Sequence, residues 1–121
     1  MNVLVVEDNK AVSLVLARVI EEAGYGAIIA ADGEAALRLF RQRDIIMAIL
    51  DVQLPDLDGF RAAQQIRNEA GSEMPIIIIS GNSGEAWAQQ ALDVGANEFL
   101  SKPVRPSQLI ALLRRYLPQM V

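Results

Sequence analysis

Ile45-Ile46-Met47-Ala48-Ile49-Leu50-Asp51-Val52-Gln53-Leu54-Pro55-Asp56-Leu57-Asp58-Gly59 is the stretch on which the fold turns. Its apolar opening, Ile45 to Leu50, shows no alternation of apolar with polar side chains, and it stops at an acid followed by a Pro, Asp and Gly turn. A short, wholly apolar run with that boundary reads as a β-strand covered on both faces, as in a parallel sheet. The same kind of run recurs at Val3 to Val6, Ala27 to Ala30, Ile76 to Ile79 and, briefly, Phe99-Leu100.

Between these runs the spacing becomes helical. Val12, Val15, Leu16, Val19, Ile20 and Ala23 fall on one face of a helix that Gly24 stops. Asp32 is placed to cap a second helix through Ala35, Ala36, Leu37 and Phe40, and Gly59 precedes a third from Phe60 to about Asn68. A fourth runs from about Gly84 to Val94, and a fifth starts at Pro106, a favourable first helical residue, and ends before Pro118. Alternating buried strands and right-handed crossover helices predict an α/β, flavodoxin-like doubly wound fold: a parallel sheet in the order 2-1-3-4-5 with helices on both faces.

The chain has 121 residues, 52% of them hydrophobic and 21% charged, with a formal net charge of -4. A chain of this length buries roughly two-thirds of the surface its unfolded form exposes, so one domain over 1–121, without staples, is the expectation. There is no Cys and no His. That removes thiolate and imidazole metal sites, a Cys nucleophile, a His general base and a phosphohistidine carried by the chain itself. The acidic balance argues against direct binding of nucleic acid. No apolar run approaches the ~20 residues of a membrane span and no signal peptide is visible, so a cytoplasmic location without membrane insertion is expected.

In a doubly wound sheet, ligands bind outside the carboxyl ends of the strands. The residues at those ends are Glu7 and Asp8, Asp51, Ser80, and Lys102 followed by Pro103. Carboxylates gathered at one edge repel one another unless a cation neutralises them, and Mg²⁺ suits such a set because it takes one or two carboxylates, several waters and phosphoryl oxygens. Asp8 and Asp51 fit direct ligand roles, Glu7 a role through water, and the backbone carbonyl of Gln53 the remaining protein ligand. Lys102 is placed to pair with Asp51 and then with a phosphoryl oxygen, and Ser80 offers a hydroxyl to another. Together they form a cradle in which Asp51 attacks a transferring phosphoryl group.

These motifs resemble the receiver domain of two-component response regulators over the whole chain. The likeness lies in Val5-Val6-Glu7-Asp8-Asn9, in Leu50 to Gly59, in Ser80-Gly81, in Gly95-Ala96 and in Phe99-Leu100-Ser101-Lys102-Pro103. The resemblance implies that Asp51 accepts a phosphoryl group from the phosphohistidine of a histidine kinase or histidine phosphotransfer protein. It also implies Glu7 and Asp8 as the metal pair, Ser80 as the switch hydroxyl, Phe99 as the switch aromatic and a cis peptide between Lys102 and Pro103. Such a protein is a signalling switch rather than an enzyme, passing its state to a downstream protein target or a covalently linked output domain through its fourth helix, fifth strand and fifth helix. No output domain is expected within 1–121.

Other readings compete. An aspartate-nucleophile phosphatase of the haloacid dehalogenase type needs a second Asp two positions on, where Gln53 stands. Neither G-x-G-x-x-G nor G-x-x-x-x-G-K-[ST] follows any strand, which weakens a nucleotide or flavin binder. An unphosphorylated docking module would be marked by loss of the acceptor, an acid or the Lys, and none is lost. Asp56 and Asp58 read as turn formers beside Gly59. Gln53 and Asn82 are the amides expected to flank a water attacking the acyl phosphate, giving moderate self-dephosphorylation. Trp87, the only Trp, is expected at the margin of a stripe of Ala88, Ala91 and Leu92. Leu109, Ile110, Leu112, Leu113, Tyr116 and Leu117 spread more widely than one buried face requires, predicting an exposed apolar patch on the fifth helix.

Overall fold

The computed structural model describes residues 1–56 and 58–118; Leu57 of the quoted stretch and residues 119–121 of the expected domain lie outside the described residues. The elements are β1 (Asn2–Val6), α1 (Lys10–Glu22), β2 (Gly26–Ala30), α2 (Gly33–Gln42), β3 (Ile45–Asp51), α3 (Gly59–Ala70), β4 (Ile76–Ser80), α4 (Glu85–Asp93), β5 (Glu98–Ser101) and α5 (Pro106–Tyr116). The strands form one sheet in the order β2-β1-β3-β4-β5, with every neighbouring pair parallel. This is the flavodoxin-like arrangement, and the strand order reverses beside β1 and β3.

Successive strand residues face opposite sides, so each apolar run supplies two cores. Leu4, Val6, Ala48, Leu50, Ile76 and Ile78 pack under α2 and α3, joined there by Phe60 and Ile66. Val3, Val5, Met47, Ile49, Ile77 and Ile79 pack under α1 and α5. The isoleucines of β4 are 0–1% exposed, and burying each stabilises the fold by roughly 1.5–3 kcal/mol.

The helix starts follow their caps. The side chains of Asn9, Asp32 and Asp58 accept hydrogen bonds from Val12, Ala35 and Phe60 at the starts of α1, α2 and α3. Gly24, at φ 98°, takes up the left-handed turn after α1 that a side chain would strain.

Three helix faces differ from the periodicity. On α5, Leu109, Leu112, Leu113 and Leu117 are buried and Ile110 and Tyr116 half-buried, so the expected exposed apolar patch is absent. The wide stripe is used twice, once against the sheet and once against Leu16, Val19 and Tyr25. Among the described residues the exposed large apolar side chains are Met1, Ile29 on the edge strand β2, Leu92 on α4, and Leu14 and Val15 on α1, where Val15 is 51% exposed because the buried centre falls on Leu16, Ala17 and Ile20. Only Ala91 is buried on α4. Trp87 is half-buried, as its marginal position predicts, and it stacks on Phe60 at 6.0 Å between centroids.

At the opposite pole from the carboxyl strand ends, Arg67 ties α3 to two loops. Its guanidinium donates to the carbonyls of Gly95 (2.9 Å), Gly71 (2.7 Å) and Met74 (2.6 Å) and to Asn97 Oδ1 (2.8 Å). Asn97 Oδ1 also accepts from Ile76 N at 2.8 Å, so the entry to β4 and the exit from α4 are fixed together.

Candidate functional site

The parallel register assembles the site. Val6 pairs with Leu50, which sets Glu7 alongside Asp51, and Ser80 pairs with Ser101, which brings Lys102 to the same edge. Asp51 and Ser80 are the last residues of β3 and β4, so the ladder itself holds them. One oxygen each from Glu7, Asp8 and Asp51 lies within 4.8 Å of the others. Glu7 and Asp51 are buried and Asp8 is exposed.

Lys102 holds the acids together. Its Nζ lies 2.7 Å from Asp51 Oδ2 and 2.7 Å from Glu7 Oε1. The first contact is a directed hydrogen bond. The second is close but off the hydrogen-bond direction, so Glu7 Oε1 is buried without a directed donor among the described residues. Glu7 Oε2 accepts from Asn9 N at 3.1 Å, and Asp51 Oδ1 accepts from Gln53 N at 3.0 Å. Burial pushes the Glu7 carboxyl pKa up, helped by the charge of Asp51 and opposed by Lys102 and the Asn9 amide. Burial also acts to lower the Lys102 pKa, but bonding and attraction to Asp51 and Glu7 outweigh it and leave the ammonium raised.

The donor set fits a hard divalent cation. It consists of oxygens, and it gathers two buried acids and the exposed Asp8 at one edge with a single ammonium between the buried pair, which leaves negative charge for a cation to neutralise.

The remaining predicted residues occupy the rim. Ser80 is buried, its Oγ accepting from Asn82 N at 2.9 Å and its carbonyl from Lys102 N at 2.7 Å. The Gln53 side chain is exposed and Asn82 half-buried. Phe99 is half-buried and packs against the α2/α3 core. The peptide between Lys102 and Pro103 is cis.

Some features had no sequence signal strong enough to read. Lys102 was legible as a partner of Asp51, but its bridge to Glu7 depends on side-chain reach. Asp56, read as a turn former, also reaches α2. Behind Asp51, a Cβ on Gly59 would stand 2.1 Å from the Asp51 carbonyl oxygen and 2.5 Å from Val52 Cα. The turn beneath the site therefore closes only on a bare Cα, while Gly59 N donates to the Val52 carbonyl at 2.9 Å.

The family model for the response regulator receiver domain matches residues 3–114. The probable transcriptional regulator ycf27 of Guillardia theta is 36% identical over 115 residues, 95% of this chain and 44% of that protein. The chain spans about half the length of the curated relatives it matches. Among solved structures, the chemotaxis protein CheY4 of Vibrio cholerae superposes with a TM-score of 0.89 at 29% identity, covering 96% of this chain and 98% of that one. A response regulator from Burkholderia pseudomallei, crystallised with a phosphorylated aspartic acid, a calcium ion and citrate, gives 0.83 at 27% identity, over 91% of this chain and 64% of that one.

Proposed function

Because this chain belongs to the response regulator receiver family of two-component systems, we propose that it is a phosphorylation-dependent switch whose acceptor is Asp51. The observation that carries this reading is the meeting of Asp51 with Glu7, Asp8 and Lys102 at the end of β3. A donor histidine kinase or phosphotransfer protein presents a phosphohistidine. An Asp51 carboxylate oxygen attacks phosphorus, the P–N bond breaks with its electron pair left on the imidazole, and an acyl phosphate forms. The relative crystallised with a phosphorylated aspartic acid supports the acceptor chemistry, and its calcium ion accords with a fold that takes a divalent cation.

The cation we assign is Mg²⁺, which Asp8, Asp51, the Gln53 carbonyl and, through water, Glu7 would hold and which would neutralise phosphoryl charge. The chain's own groups do the rest. Lys102 moves its donors from Asp51 Oδ2 to the phosphoryl group while keeping Glu7 as a counter-charge, so no ammonium is left unpaired. Ser80 turns its hydroxyl to another phosphoryl oxygen, Phe99 answers on β5, and the α4–β5–α5 surface changes for a downstream protein or a linked output domain. Gln53 and Asn82 flank the water that removes the phosphoryl group. The chain itself is not a classed hydrolase, since Gln53 supplies no general acid.

Incubation with a small acyl or amido phosphate donor should give an acid-labile label that requires Mg²⁺, with no hydrolysis of ordinary phosphomonoesters. Phosphomonoester turnover, or labelling indifferent to Mg²⁺, would contradict the assignment. Trp87 should report the switch, because it joins α4 to Phe60 at the start of α3. Mg²⁺ with beryllofluoride should change its fluorescence, and Ser80→Ala should blunt the change. Constant emission while binding at Asp51 is confirmed independently would place Trp87 outside the switching surface.

A further inference from the structure

The start of α2 is capped by two different segments. Ala35 N donates to Asp32 Oδ1 at 2.7 Å and Ala36 N to the Asp32 carbonyl at 3.0 Å, as a local cap requires. The first two N–H groups of the helix go elsewhere. Gly33 N donates to Asp56 Oδ1 at 2.8 Å and Glu34 N to Asp56 Oδ2 at 3.1 Å. Asp56 belongs to the loop between β3 and α3, whose base lies at the phosphorylation site: Gln53 bridges Asp58, and Gln53 N donates to Asp51 Oδ1.

Resting on the function proposed above, we infer that Asp56 is a positioning residue. Its carboxylate ties the outer part of the β3–α3 loop to the first turn of α2 and thereby holds the Gln53 peptide where it serves Asp51 and Mg²⁺. Only Leu54 and Pro55 separate Gln53 from the tie, and the Pro ring fixes one of the intervening dihedrals, so a restraint at Asp56 is passed back along a short, stiff path. The Gly33 N–H, with that of Glu34, holds the Asp56 carboxyl below the usual carboxylate range, so the tie is made by the anion. Asp56 is exposed and its bond to Glu34 N lies at the surface, so water can take its place there, and the Asp32 cap still holds the first turn of α2 when Asp56 is removed. Its loss should therefore be felt as a misplaced loop more than as an unfolded helix.

The test is a calorimetric Mg²⁺ titration of the full chain as wild type, Asp56→Ala, Asp56→Asn and Asp32→Ala, with a thermal melt of each. Asp56→Ala should weaken Mg²⁺ about three- to tenfold, within the worth of a capping carboxylate. Asp56→Asn removes the same charge but keeps one acceptor, so it should lie closer to wild type. Asp32→Ala strips the other cap of α2 without touching the loop, so it should lower the melting midpoint while leaving Mg²⁺ affinity within about twofold. Equal weakening by Ala and Asn would assign the effect to charge and overturn the tie. Weakening by Asp32→Ala as large as that by Asp56→Ala, or no effect of Asp56→Ala, would overturn it as well. Should Asp56→Ala fail to fold, Asp56→Asn against Asp56→Leu, nearly the shape of Asn but without an acceptor, carries the same comparison of retained against lost acceptor. A wild-type chain that binds no Mg²⁺ would instead refute the metal reading on which the inference rests.

Discussion

An Asp51→Asn chain should fold and take up no acid-labile phosphoryl label from any donor. The amide has nearly the shape of the carboxylate and can still accept from Gln53 N, which now meets Asp51 Oδ1 at 3.0 Å. What it lacks is the anionic oxygen that attacks phosphorus. Lys102 loses one partner but keeps Glu7 at 2.7 Å, and the substitution removes the negative neighbour that helps to push the Glu7 pKa up. The charge balance of the buried cluster is therefore altered without stranding an ammonium. Loss of label should come with retained secondary structure and a cooperative melt. Label that persists at wild-type level would move the acceptor to another residue.

A Gly59→Ala chain should lose about 3 kcal/mol of stability or more, and with it about 10 °C of melting midpoint. The new Cβ would meet the Asp51 carbonyl oxygen at 2.1 Å and Val52 Cα at 2.5 Å. Both are backbone atoms, so no side-chain rotation relieves the overlap. Either the end of β3 shifts or the Gly59–Val52 hydrogen bond breaks, and either displaces Asp51, so phosphoryl uptake should fall together with stability. Gly81→Ala is the control. A Cβ there meets nothing within 4 Å and its backbone is not left-handed, so its melt should stay within about 0.5 kcal/mol of wild type. Equal melts for the two variants would show that the turn under Asp51 is able to relax.

The central strands β1, β3 and β4 were legible because they are apolar without alternation, the pattern of a strand covered on both faces; the edge strand β2 carries the same pattern but is only half-covered, with Ile29 39% exposed. The cap at Asp32 was legible because it acts locally, through its own helix. The constellation was legible for a topological reason. In a parallel sheet the carboxyl ends share one edge, so Glu7, Asp51, Ser80 and Lys102 meet once the strand order is known.

What escaped the sequence is what depends on the packing of one element against another. The apolar residues of α5 looked too many for one face because the helix has two neighbours, the sheet and α1, and periodicity does not count neighbours. Val15 fell on the predicted stripe yet is exposed, since a small rotation of α1 exchanges a marginal position for Ala17. The Phe60–Trp87 stack joins two helices far apart in sequence, and the Asp56 tie spans from one loop to another helix. Arg67, in the last turn of α3, carries no local signal of its role: it bonds three backbone carbonyls and Asn97.

The most direct measurement is chemical trapping of the phosphorylated residue. The full chain is phosphorylated with a small donor and Mg²⁺, reduced with borohydride, which converts an aspartyl phosphate to homoserine, and sequenced by mass spectrometry. Homoserine is expected at position 51 and nowhere else, and is absent when Mg²⁺ is withheld. Reduction at another residue, or at none in protein that carries acid-labile label, would contradict Asp51 as the acceptor.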